Sequence, residues 1–186
     1  MDKKELIFID TETTGLLEPV GCKLDFQPYV YEIYILRTTA KLKTIDTFYS
    51  LINIPVEIPS FLSRMTCVYN TDLKKKPLFN EVKKPIKNII KDASLFVAHN
   101  ATFDKEMVNI EFKRNGIDDF KFPSLYCMVE QSYHLKGYRL TQGELYNLLT
   151  GEQYNQEKQH RAKVDVEKML ENYRILNNIR NKKNVA

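Results

Sequence analysis

The chain has 186 residues, 43% of them hydrophobic and 28% charged, which suits one globular domain with a real core and leaves too little for two. Its formal net charge of +4 permits a polyanionic partner without requiring one. No apolar run approaches the length of a membrane span, and the three cysteines (Cys22, Cys67 and Cys127) are too few and too far apart for a disulfide framework or a zinc site. They are expected as reduced, buried thiols. The opening MDKKELIFID has a short apolar run that ends in acid, unlike a signal peptide, so a cytoplasmic, reducing location with no membrane partner is expected.

In chain order, residues 5–10 (ELIFID) read as a buried strand. Residues 17–30 form a loose link, with no role legible in them, to a second strand over 29–37 (YVYEIYILR). A third follows over 44–52, and the short gap between the two predicts a hairpin. Residues 53–76 carry no clear period, being broken by Pro55 and Pro59. Pro77 suits the first turn of a helix whose face is Phe79, Val82, Ile86, Ile89 and Ile90. Residues 94–98 (SLFVA) form a short strand. A helix follows from about 101, with Phe103, Met107 and Ile110 on one face, and stops near Gly116. SLYCMV, after Pro123, reads as a further strand. Residues 141–149 and 162–179 read as helices, the second with Val166, Met169, Leu170, Tyr173 and Leu176 in one stripe. The expected fold is α/β: a mixed sheet of about five strands with helices packed on it.

The chemistry concentrates in acids. Asp10 and Glu12 end the first strand two residues apart, so both project from one face, where like charges need a cation between them. Asp104 stands in the first turn of the helix after SLFVA, and Asp165 near the start of the last helix. Each alone is explained by the helix dipole. Together, at the ends of strands in an open sheet, they predict a ligand crevice. Four carboxylates meeting there would need about two divalent ions, and oxygen ligands suit Mg²⁺ or Mn²⁺. His160, five residues before Asp165, is the candidate general base, since an ordinary imidazole titrates near about pH 6.5. His134 is read as structural and His99 as a lining residue beside a strand end.

Three blocks carry a family resemblance: residues 8–16 (FIDTETTGL), 96–104 (FVAHNATFD) and 160–165 (HRAKVD). In order and spacing they resemble the three motifs of the DnaQ-like, DEDDh branch of 3′→5′ exonucleases, which has a ribonuclease H-like fold. The resemblance spans nearly the whole chain. One stand-alone exonuclease domain is expected over 1–180, with 181–186 as a frayed basic tail. The resemblance implies a metal-dependent enzyme that releases nucleoside monophosphates from the 3′ end of a nucleic acid. Asp10, Glu12 and Asp165 would hold the catalytic metal, Asp10 bridging to a second, with Asp104 completing the site and His160 as base. The backbone around Thr11, Thr13, Thr14 and Gly15 would meet the terminal nucleotide, and Leu16 would pack on it. His99, Asn100 and Phe103 would shape the same pocket. Where the family often has H-G-I-T, this chain has SRMTCV, so Met65 is the expected apolar wedge. Glu32 fits the family's second-strand pattern and is read as supporting the site.

Single-stranded DNA is the favoured substrate, because RNA-trimming relatives often carry Glu-Met-Thr where this chain has Glu-Thr-Thr. A DNA polymerase is a further expected partner. An RNA-trimming exoribonuclease and a silent nucleic-acid-binding scaffold are the alternatives. The scaffold reading ranks low because all four acids and His160 are present. An aspartyl-phosphate phosphatase would want a second Asp in place of Glu12. Lys74–Lys76, Lys83, Lys84 and Arg180 are read mostly as surface solubility.

Overall fold

The computed structural model describes residues 4–153 and 160–183, with side chains to Arg180. Five strands form one sheet: β1 (Glu5–Thr13), β2 (Val30–Thr39), β3 (Thr44–Leu51), β4 (Leu95–Ala98) and β5 (Ser124–Cys127), in the order β3-β2-β1-β4-β5. β1 is central. It runs antiparallel to β2 and parallel to β4. The mixed sheet follows from the connections. A short turn joins β2 to β3, whereas the parallel steps from β1 to β4 and from β4 to β5 each need a crossover.

Alternation along β1 sorts its side chains onto two cores. Ile7 and Ile9 pack with α3 (Phe79–Ile90) and α4 (Ala101–Arg114) on one face. Leu6 and Phe8 pack with α6 (Gln142–Thr150) and α7 (Ala162–Lys183) on the other, where Phe8 meets Tyr173 edge-on at 5.2 Å. Helices therefore cover both faces, as expected of an α/β sheet.

The segment without a period folds as two short helices, α1 (Ser60–Thr66) and α2 (Asn70–Leu73), which bury Ile58, Val68 and Leu73 against Tyr31. Such short pieces cannot display a helical period. α3 begins at Phe79 rather than at Pro77, because Glu81 reaches back to the Leu78 N–H at 2.7 Å and fixes the start there. SLYCMV is strand only to Cys127, after which α5 (Met128–Ser132) begins. α7 runs to Lys183, into the expected tail, of which residues 184–186 lie outside the described residues. Of the three free thiols only Cys127 is buried. Cys67 is exposed at the left-handed end of α1, and Cys22 is half-buried in a loop.

That loop, residues 17–30, has a structural reason. Its ends are closed by Thr14 N–H to the Tyr29 carbonyl (3.0 Å) and Tyr29 N–H to the Thr14 hydroxyl (2.9 Å). Gln27 then spans it through both the N–H and the carbonyl of Glu18. Arg114 of α4 donates to the Leu24, Gln27 and Pro28 carbonyls and to Glu111, and its guanidinium lies 3.7 Å over the Tyr29 ring. Glu111 in turn accepts the first N–H of β2, from Val30. The Arg114–Glu111 side chains are 9% and 4% exposed, so each needs the other. Arg114→Ala leaves a buried carboxylate unpaired and is expected to cost about 3–5 kcal/mol, read as a lower urea midpoint. A midpoint unchanged from the parent would show that the loop does not depend on this pair.

Candidate active site

β1 outruns β4. The two pair only from Leu6 to Phe8, so Asp10 to Thr13 project beyond the β4 end. Asp10 and Glu12 continue the even-numbered face, toward α7, whose first turn carries Asp165. Carboxylate oxygens of Asp10, Glu12 and Asp165 lie within 4.8 Å of one another. Asp165 is held on both oxygens. Gln142 Nε2 donates to Oδ1 (3.0 Å) and to the Asp165 carbonyl (2.8 Å), and the Arg161 N–H donates to Oδ2 (3.1 Å).

Asp104 arrives from the other side. Where β4 has ended, its Oδ1 accepts the Thr11 N–H (3.1 Å) and the Thr11 hydroxyl (2.9 Å), taking the place of a next strand partner. It is buried and lies outside the set of three, yet it faces the same cleft. That cleft, about 730 Å³, is lined by Asp10, Glu12, Asp104 and Asp165 together with residues 139–144. His160 lines it as well, exposed, at a φ of 61°. A left-handed backbone at a residue with a side chain is strained, of order 1–3 kcal/mol, and such strain collects at functional sites.

Burial and crowding raise these acids together. Asp10 is lifted well above the usual range by burial first, then by Asp104, Asp165 and Glu12. Glu12 is pushed up to about 8 by burial, Asp165 and Glu32, with Arg161 opposing. Asp104 is pushed up to about 7 by burial against the pull of its Thr11 bonds. Any protons that Glu12 and Asp104 keep near neutrality would be displaced by a divalent cation. An all-oxygen set of this kind fits Mg²⁺ or Mn²⁺, so the cluster could hold such an ion. His99 behaves oppositely. Burial lowers it to about 4, so its ring is neutral and its Nε2–H donates to the Leu140 carbonyl at 3.1 Å, tying the cleft wall to the end of β4.

Among the residues expected to meet substrate, Thr11, His99, Asn100 and Phe103 line the cleft. Thr13, Thr14, Gly15, Leu16 and Met65 do not. Thr13 and Thr14 spend their hydroxyls inside the turn, on the Gly15 carbonyl and the Tyr29 N–H. Leu16 is 81% exposed, and Met65 stands exposed on α1. Sequence reasoning had missed the wall over 139–144 and the support given by Arg161. Arg139 is the one guanidinium in the lining, Gln142 holds Asp165, and Arg161 binds fully buried Glu32. A signal for Arg161 was available, since it sits inside the HRAKVD block.

Among solved structures, the chain resembles a 3′-exonuclease recognising the histone mRNA stem-loop (TM-score 0.71, 14% identity, 94% of this chain and 64% of that one). It also resembles exonuclease X bound to 5′-overhanging duplex DNA (TM-score 0.63, 20% identity, 93% and 92%) and exonuclease I (TM-score 0.74, 14% identity, 94% and 41%). At these identities the likeness is one of fold, and the fold is ribonuclease H-like. In sequence it is 37% identical over 128 residues to the 3′-5′ exonuclease DinG of Staphylococcus aureus and 33% identical to that of Staphylococcus epidermidis. Each match covers 64% of this chain, which spans only 14% of the length of those relatives. Among the described residues no helix is long and apolar enough to cross a membrane. Residues 7–173 match the RNase_T exonuclease family, and the chain belongs to that family, within the DnaQ-like group of the ribonuclease H-like superfamily.

Proposed function

We propose that the chain is a 3′→5′ exonuclease that hydrolyses the terminal phosphodiester of a nucleic acid, with single-stranded DNA favoured, and that residues 1–180 form its exonuclease domain. The observation that carries this is the set Asp10, Glu12 and Asp165, with oxygens within 4.8 Å, on the same cleft as His160. Asp10, Glu12 and Asp165 would hold divalent Mg²⁺ or Mn²⁺, two ions with Asp104 as the fourth carboxylate. Such ions supply Lewis-acid charge at the phosphoryl oxygens. His160 takes the proton of the attacking water, its exposure leaving it free to approach a bound end. Asn100 and Phe103 form the floor on which the terminal nucleotide rests.

Named neighbours act at DNA and at RNA ends, so the favoured polymer rests on the Glu-Thr-Thr of the first block. A polymerase partner gains no support from the relatives named above.

With Mg²⁺ or Mn²⁺ and 5′-labelled single strands of DNA and RNA, the parent protein is expected to produce a ladder that shortens one nucleotide at a time. His160→Ala should lower turnover by about 10²–10⁴-fold, the usual worth of a general base, with its melting temperature kept. Asp165→Ala should abolish turnover. Full activity in either variant would sink the assignment.

The raised carboxylates make a second expectation. Glu12 and Asp104 have folded-state pKa values above their unfolded ones, so their contribution to stability is complete below about pH 4. It is lost as pH rises through about 7 to 8. In EDTA the melting temperature should therefore fall between pH 5 and pH 9, and Mn²⁺ should restore it most at the alkaline end. A flat profile in EDTA would mean that the carboxylates do not repel one another as the geometry requires.

A further inference from the structure

Glu32 is a fully buried carboxylate that neither lines the cleft nor belongs to the set of three. On β2 it stands directly opposite Glu12, so the two acids share one face of an antiparallel pair, an arrangement that costs stability unless a cation intervenes. Arg161 is that cation. Its Nε donates to both Glu32 oxygens (3.1 and 3.0 Å), and its Nη2 donates to the Tyr49 hydroxyl on β3 (3.0 Å). The backbone of the same residue holds Asp165. The Arg161 N–H donates to Asp165 Oδ2 at 3.1 Å, and the Arg161 carbonyl accepts the Asp165 N–H at 3.0 Å. His160, at its left-handed φ, is the next residue back.

We propose that the Glu32–Arg161 pair is a positioning device, which sets Asp165 and His160 at a fixed place relative to Glu12. The side chain of Arg161 is bolted to β2 and β3, while its main chain carries one metal-ligand candidate and adjoins the base. Tightness of packing alone does not call for this arrangement, because a buried ion pair is commonly no more stabilising than an apolar pair of the same volume. What an apolar pair cannot do is orient the backbone N–H that meets Asp165. Partners of this outer kind typically change metal affinity or activity by about 10- to 100-fold when removed.

This inference rests on the exonuclease reading above, so the test carries a measurement that does not need turnover. Arg161→Lys keeps a cation beside Glu32 and gives up the Nε fork and the Tyr49 contact. The double variant Glu32→Met with Arg161→Met removes both charges together. For each, the melting temperature, the Mn²⁺ affinity by calorimetry without substrate, and kcat and KM on a 5′-labelled oligonucleotide are measured. Positioning predicts that both variants melt near the parent, bind Mn²⁺ about 10- to 100-fold more weakly, and lose kcat by a similar factor with little change in KM. Parent-like Mn²⁺ affinity and kcat in either folded variant would overturn it, since the pair would then serve the fold alone. If the parent itself cleaves neither polymer, the exonuclease reading fails, and the Mn²⁺ affinities still decide whether the pair positions Asp165.

Discussion

Crowding of carboxylates at the end of β1 is the constraint around which this molecule is arranged. Asp10, Glu12 and Asp165 meet within 4.8 Å, with Asp104 and Glu32 near enough to add to the repulsion. A chain selected for stability alone would not assemble five acids in one half-buried place. The neighbours show how it is tolerated. Thr11 gives Asp104 two hydrogen bonds, Gln142 and the Arg161 N–H hold Asp165, and the Arg161 guanidinium meets Glu32. Asp10 and Glu12 are both raised by burial and by the neighbouring acids, and they are the two that β1 carries on one face. The protein spends its compensating donors on the periphery of the cluster and leaves its centre electrostatically unsatisfied, which is the condition a cation relieves.

Geometry of one strand explains why the acids fall into a group of three and a separate fourth. Even-numbered residues of β1 face α7 and odd-numbered ones face α4. Asp10 and Glu12 therefore meet Asp165 from the α7 side, while Thr11 turns toward α4 and catches Asp104 there. Asp104 reaches the shared cleft around the free edge that β4 leaves by ending early. Had β4 continued for three more residues, it would have paired with the Thr11 N–H and closed the cleft from below. The shortness of β4 is thus as much a part of the site as the acids are.

Much of this was legible in the sequence because the informative patterns are local. The period-2 run into Asp10 and Glu12 places both on one face without any knowledge of the partner strands. The helical stripes of α3 and α7 name their buried residues correctly, from Ile86 and Ile90 to Val166 and Met169. What escaped is non-local or lacks a period. Arg161 and Glu32 lie 129 residues apart, and nothing along the chain announces their contact. The wall formed by residues 139–144 contributes through its turn and through the start of α6, where Thr141 and Glu144 cap one another, rather than through any repeated pattern. Thr13 and Thr14 are expected to meet the terminal nucleotide, but they lie off the cleft, the Thr13 hydroxyl on the Gly15 carbonyl and the Thr14 hydroxyl closing the 17–30 loop. That loop itself is intelligible only once Arg114 of α4 is seen gathering its carbonyls.

The charge of the cleft also orders the events that can take place in it. Among the described residues its lining holds five carboxylates (Asp10, Glu12, Asp104, Glu144 and Asp165) against the single guanidinium of Arg139. The basic residues behind the net charge of +4 lie mostly away from this lining, and with its acids ionised the lining repels a phosphodiester. A nucleic-acid end brought near by basic surface would be repelled at the last step unless the acids were first neutralised, by protons or by divalent cations. Protons neutralise by occupying the very oxygens needed as ligands, so neutralisation by protons and neutralisation by cations exclude one another. With Glu12 and Asp104 pushed up to about 8 and 7, a divalent cation arriving near neutrality would displace those protons and offset the charge that an anionic substrate meets. In such a cleft the binding of a cation and the binding of an anion would be linked, each raising the other.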